Sequence, residues 1–313
     1  MKKFLLTVAA YFLILGTLVG ILNFAYISLD TADSYDIARF DTMPEQIQVC
    51  NLGSSHGRRA LDYSGLDTIS GFNFAFTAQS LDYDYRLLTH YQDRLAPGCL
   101  VIIPVSYFSF FGKDETQLAD FASKNERYYN ILPRELIKEY DFLTYLCTVP
   151  FPAVGAGTDM FKVLLGGGSG AEEDITLITA DTIDVAQNAR NAYQRHLGAQ
   201  RRDESGDLLL LEGEVQALYD IIGLCREIGA VPVLLTTPYL AEYTDLVTEN
   251  APDFLPYFYS ILEQVSQDTG TPYYDYAFDP RFRDAYSLFM DADHLNQAGA
   301  RYFTELFLEE LRN

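Results

Sequence analysis

The sequence predicts an α/β fold: a three-layer αβα sandwich on a parallel sheet of about five strands, with one N-terminal transmembrane helix and a partly helical cap insertion. Three observations predict it. Short apolar runs of strand character alternate with segments of helical periodicity over most of the 313 residues, the order that yields parallel strands with helices on both faces. The runs are continuous rather than alternately apolar and polar, as strands buried on both faces are. A long uncharged stretch precedes the alternation.

That stretch is residues 4–29, with Lys2 and Lys3 before it and Asp30, Asp33 and Asp36 after it. It exceeds the roughly 20 residues that cross a bilayer as a helix, and its exit Tyr26-Ile27-Ser28-Leu29 is a poor cleavage site. Residues 1–30 are therefore read as an uncleaved anchor, with a cleaved signal peptide as the alternative. The lysine pair keeps to the cytoplasm, so residues 31–313 are expected outside it. Strands are expected at 46–52, 71–76, 99–105, 231–236 and 272–277, and helices at about 80–94, 207–229, 254–269 and 296–312. Gly229 and Gly270 stand where helix C-caps belong. An insertion at about 107–206 interrupts the pattern. It opens on the aromatic stretch Tyr107 to Phe111, continues with helical patterns near 115–146, and contains Gly166-Gly167-Gly168-Ser169-Gly170. No Gly-Lys-Ser/Thr follows those glycines, so they are a linker and not a phosphate loop.

Composition narrows the function. A formal net charge of −22 argues against nucleic acid as a partner, because binding it requires Lys and Arg to displace counterions. Cys50, Cys99, Cys147 and Cys225 are widely spaced, show no zinc spacing, and leave buried thiols and disulfides both open. No metal and no organic cofactor are implied.

Two segments carry the chemistry. Asn51-Leu52-Gly53-Ser54-Ser55-His56-Gly57 follows the first strand, and Met290-Asp291-Ala292-Asp293-His294-Leu295-Asn296 precedes the last helix. In a parallel sheet both fall beyond the carboxyl ends of strands, where active sites form. A serine hydroxyl becomes nucleophilic when an imidazole takes its proton and a carboxylate orients that imidazole. Together the Gly-Ser-Ser turn and Asp-x-x-His resemble the SGNH (GDSL-type) hydrolase superfamily, whose sandwich is flavodoxin-like, over roughly residues 46–110 and 208–312. The Ser-Ser-His form behind an anchor resembles the branch of D-alanyl-lipoteichoic acid transfer proteins and polysaccharide O-acetylation accessory proteins.

The resemblance implies Ser55 as nucleophile, His294 as base and Asp291 as its orienting acid, in preference to the adjacent Asp293. Ser54 stands in the place of the Asp of G-D-S, with a turn-stabilising role. For the oxyanion it implies the Ser55 amide and the block Asn73-Phe-Ala-Phe-Thr-Ala78, with Ala78 in the glycine's place. The Gly-x-Asn-Asp block is missing. Pro104-Val105-Ser106-Tyr107 stands there, and Ser106 is either a donor or a strand end. His56 either lines the site or is a surface histidine at a helix start.

The expected function is a membrane-anchored extracytoplasmic serine acyltransferase or esterase, acting on O-acyl groups of a cell-surface glycan or polymer acceptor. A membrane-bound O-acyltransferase is the implied partner. Two alternatives stand: a catalytically silent scaffold for such an acyltransferase, and an esterase of lipid or small-molecule esters whose acyl pocket is lined by Tyr107 to Phe111. An unperturbed imidazole titrates near 6.5, so activity is expected to fall as pH drops through roughly 6–7.

Overall fold

The structure is a computed structural model that describes residues 1–29, 37–66, 68–111, 125–165, 179–198, 206 and 208–312. It divides into two compact units, one of residues 1–42 with 122–173, the other of residues 43–121 with 174–313.

The second unit holds the sheet. Strands β1 (Ile47–Asn51), β2 (Gly71–Asn73), β3 (Leu95–Pro104), β4 (Val231–Thr236) and β5 (Tyr273–Asp275) are all parallel, in the order β2-β1-β3-β4-β5. This is the flavodoxin-like order, which places a ligand crevice at the β1/β3 switch point. At the carboxyl end of β1, Asn51 lies level with Asn73 of β2 and Ile102 of β3. On one face Val49, Ile102, Val233 and Leu235 pack with Ala60, Phe303 and Phe307. Helices Leu81–Tyr91 and Glu212–Glu227 pack on each other and bury Leu87, Leu88, Leu218, Ile221 and Ile222. Each such side chain contributes about 1.5–3 kcal/mol by leaving water. All four cysteines are free, and Cys50, Cys99 and Cys225 are buried.

The edge strands are shorter than the apolar runs that encode them, and each is followed by a side-chain turn. Asn73 Oδ1 accepts from Ala75 N at 3.0 Å and Asp275 Oδ1 accepts from Ala277 N at 2.9 Å. These side-chain turns bend the chain after β2 and β5, which are assigned three residues each, while Phe74 N, Phe76 N and Tyr276 N still donate to Asn51 O, Gly53 O and Thr236 O. Gly229 and Gly270 lie at helix ends with φ of +75° and +62°. Helix Ala241–Asn250 was not foreseen. Thr244, Val247 and Thr248 are β-branched and lower its intrinsic propensity, but Tyr243, Thr244 and Val247 are buried along it.

The first unit contains helix Lys2–Leu29, long and apolar enough to cross a membrane. It also contains the short helices Phe142–Thr148, Pro152–Gly155 and Asp159–Leu164. The stretch 107–206 is thus shared between the units: of its described residues, 125–165 group with the N-terminal helix, and 107–111 and 179–198 with the sheet. The glycine run 166–170 and the expected helix over 115–124 lie outside the described residues.

Candidate active site

The site begins at the end of β1. Gly53 takes φ +109°, a conformation open to glycine at little cost, and its N–H donates to Asp84 Oδ1 at 2.7 Å. Helix Ser55–Ala60 starts immediately. A Cβ on Gly57 would lie 2.6 Å from Leu52 O and 3.0 Å from Pro104, so glycine lets this helix sit against the strand ends. The Asn51 amide donates to Leu52 O, Gly57 O and Asn73 Oδ1. The turn is therefore fixed from two neighbouring strands.

Across the crevice, Asp291 Oδ1 accepts the backbone N–H groups of Asp293 at 3.0 Å and His294 at 2.7 Å. The loop after β5 is thereby wound so that side chains 291 and 294 meet. His294 Nδ1 lies 3.0 Å from Asp291 Oδ2, and its Nε2 lies 2.9 Å from Ser55 Oγ. The structure thus brings Ser55, His294 and Asp291 into one chain of hydrogen bonds. Burial alone would lower the His294 pKa, but the carboxylates of Asp293 and Asp291 outweigh it and push the imidazole up to about 9.

Asp293 is not idle. Its side chain is completely buried, and Oδ2 lies 3.1 Å from His56 Nε2, 3.5 Å from His294 Nδ1 and 3.7 Å from His196 Nε2. Burial pushes such a carboxyl up, yet His294, His56 and His196 together hold it well below the usual carboxylate range. His56 is no surface residue. Only 2% of it is exposed, and its Nδ1 meets Ser106 Oγ at 2.8 Å and Tyr239 Oη at 3.1 Å. Burial lowers its pKa against the pull of Asp293. A neutral His56 that donates from Nε2 to Asp293 accepts at Nδ1 from these hydroxyls. Ser106–His56–Asp293 is therefore a second Ser–His–Asp chain, with its imidazole ring 4.8 Å from that of His294.

Two expectations change, those for Ser54 and Asn73. Ser54 makes no side-chain cap to the helix it precedes; its hydroxyl faces Ser106 Oγ at 3.5 Å. Asn73 does not offer its amide to a ligand. Its Nδ2 points at Gly57 O, Arg58 O and Leu61 O, and its Oδ1 accepts from Asn51 and Ala75, so it clamps the serine helix to β2. Ser106 lies just past β3, buried in the network around His56. Ala78 adopts φ +56°, the left-handed conformation that a glycine in its place would take freely, at a cost of about 1 kcal/mol for alanine.

Sequence reasoning missed His196 and Tyr239. His196 Nδ1 lies 2.9 Å from Tyr243 Oη, and its ring lies 4.5 Å from that of Phe108. The available signal was scarcity: of four histidines in the chain, three converge on Asp293. Donor atoms of His56, Asp293 and His294 also lie within 4.8 Å of one another, the spread of a loose metal cluster. The atoms concerned already face one another, Asp291 and Ser55 in hydrogen bonds, the arrangement of a proton network. No family model matches the chain, and no curated protein does.

Proposed function

We propose that the protein is a membrane-anchored serine acyltransferase or esterase that moves O-acyl groups of a cell-surface or secreted polysaccharide through an acyl-Ser55 intermediate. One observation carries the reading: Ser55 Oγ, His294 Nε2, His294 Nδ1 and Asp291 Oδ2 follow one another at 2.9 and 3.0 Å. The helix long and apolar enough to cross a membrane supports the anchor. The Gly53-Ser54-Ser55 and Asp291-x-x-His294 pattern supports the family, and with it a glycan acceptor and an O-acyltransferase partner.

In this mechanism Ser55 Oγ attacks the acyl carbonyl carbon as its proton passes to His294 Nε2. Asp291 and Asp293 stabilise the resulting imidazolium. The tetrahedral oxyanion is met by backbone N–H groups, for which Ser55 and Ala78 are the candidates. The proton goes on to the leaving oxygen of the donor ester, which departs and leaves an ester on Ser55. A hydroxyl of the acceptor, or water, then gives its proton to Nε2 and attacks the acyl carbon. Ser55 Oγ leaves and recovers that proton. An imidazole pushed up to about 9 is a strong base with a stabilised charged form, which suits attack by a sugar hydroxyl.

A fluorophosphonate probe provides the test. It should label the wild-type chain at Ser55 and fail to label Ser55→Ala, which should also lose cleavage of a small acetyl ester. An unlabelled, correctly folded wild type would favour the silent scaffold.

A further inference from the structure

The first unit contains a second apolar feature, independent of the active site. From Phe142 to Thr158 the chain carries no charged residue, and Asp159 and Lys162 are the only two between 142 and 165. In a water-soluble unit such a stretch would be core. Here much of it faces outward: Phe142 is 60% exposed, Leu143 68%, Phe151 42%, Val154 52%, Phe161 54% and Leu165 86%. So many exposed apolar side chains within one short stretch mark a membrane or a partner.

What it touches inside its own unit decides between them. Helices Pro152–Gly155 and Asp159–Leu164 pack on helix Lys2–Leu29. Asn23 is the one buried residue of that long helix. Its Nδ2 donates to Pro150 O at 2.9 Å and its Oδ1 accepts from Ala153 N at 3.1 Å. A polar residue in a lipid-facing helix needs such partners, because hydrocarbon supplies none. Asn23 stands six residues before Leu29, about 9 Å from the helix end at 1.5 Å per residue. The whole 28-residue helix is about 42 Å long against a hydrocarbon core of about 30 Å, so Asn23 lies near the core's boundary. Helix Phe142–Thr148 has seven residues and spans only about 10 Å, too little to cross. Tyr140 and Tyr145, with ring centroids 6.2 Å apart, flank its start; tyrosine favours the same depth.

We propose that residues 142–165 form an interfacial membrane element, its exposed apolar side chains seated in the bilayer boundary beside the anchor and its backbone joined to the anchor through Asn23. The proposal rests on helix Lys2–Leu29 spanning the bilayer, and the test separates the two ideas.

The chain has no tryptophan, so one Phe→Trp substitution installs one selective emitter. Full-length Phe151→Trp, Phe161→Trp and Ile14→Trp proteins are reconstituted in phosphatidylcholine vesicles that carry brominated lipids. The bromine lies either near the headgroup or near the chain ends. Emission from positions 151 and 161 should be blue-shifted and lose most intensity to the shallow bromines, while position 14 should lose most to the deep ones. Quenching at 14 without quenching at 151 and 161 overturns the proposal and leaves the anchor standing, and protection of both from iodide would then put a protein on this face. An unquenched position 14 removes the anchor, and the proposal with it. A parallel Asn23→Leu protein should show weaker shallow quenching at 151 and 161, with position 14 unchanged.

Discussion

Two Ser–His–Asp chains stand side by side in the sheet unit, made of the same three residue types and differing in almost everything else. In Ser55–His294–Asp291 the histidine and aspartate side chains keep 13% and 19% of their surface exposed, and the imidazole is pushed up to about 9. In Ser106–His56–Asp293 the corresponding values are 1% and 0%, and burial pulls the imidazole down. Two carboxylates act on His294, and its Nε2 remains free to serve a hydroxyl at the helix start. His56 shares its one carboxylate with His294 and His196, and it faces two buried hydroxyls. Residue identity does not assign a role; access and the balance of charge against desolvation do. The accessible chain presents its hydroxyl and imidazole at the helix start, and the buried one hydrogen-bonds Asp293, which His294 and His56 together keep ionised.

Exchanging the two serines tests this most severely. Ser55→Ala should lower kcat/KM for a small ester by at least about 10³-fold, as removal of a triad nucleophile does. Ser106→Ala should cost less than about tenfold, through loosening of His56. Equal losses would mean the buried chain takes part in chemistry.

The aspartates come next. Asp291→Asn should cost on the order of 10³-fold, because His294 loses the partner that fixes its tautomer. Asp293→Asn should act mainly on the pH profile. In the free enzyme His294 must be neutral to act as base, so kcat/KM should climb as pH rises through about 9, well above the 6–7 that an isolated imidazole suggests. Asp293 is the largest influence raising that value, so its neutralisation should slide the limb to lower pH. A limb that stays in place in Asp293→Asn would show that Asp293 has no hold on His294.

A third aspartate sharpens the same lesson through stability. Asp84 is as buried as Asp293, but no imidazole is among the groups that act on it. Burial pushes it up to about 7, and the Gly53 N–H and the Gln79 amide offset only part of that. Its folded pKa lies above its unfolded value, so the folded state holds the extra proton. Its contribution is complete below about pH 4 and is lost as pH rises through 7, by up to about 4 kcal/mol at 1.36 kcal/mol per unit. Asp84→Asn should abolish this slope, and denaturant midpoints at pH 5 and pH 8 should then differ less than in wild type. An unchanged difference would place the titration elsewhere.

How far the sequence reveals these features depends on how local they are. The serine turn and Asp291-x-x-His294 are legible because seven consecutive residues hold each of them. Ala78 is legible as a candidate because it stands in a glycine's place within a short block, but its positive φ is a finding of the structure. Asp293 was set aside because neighbouring side chains point apart. They do not here: Asp293 Oδ2 lies 3.5 Å from His294 Nδ1 and also meets His56, 237 positions distant in the chain. His196 and Tyr239 reach the site from the insertion and from beyond β4, with no motif of their own. Asn73 carries the right name for a ligand donor, but three backbone carbonyls consume its amide, and sequence spacing does not register that demand.

Tyr239→Phe should have the smallest effect, and it probes the buried chain alone. Tyr239 Oη lies 3.1 Å from His56 Nδ1, and Ser106 Oγ lies closer at 2.8 Å. Removing one of the two donor hydroxyls leaves His56 Nδ1 still accepting from Ser106 Oγ. The loss should be about that of one neutral hydrogen bond, roughly 1 kcal/mol in stability. Because the phenol touches neither Ser55 nor His294 in a hydrogen bond, kcat/KM should change less than about threefold and its pH limb should not move. A displaced limb would mean that the protonation of His56 is coupled to that of His294, and the two chains would then have to be treated as a single titrating unit.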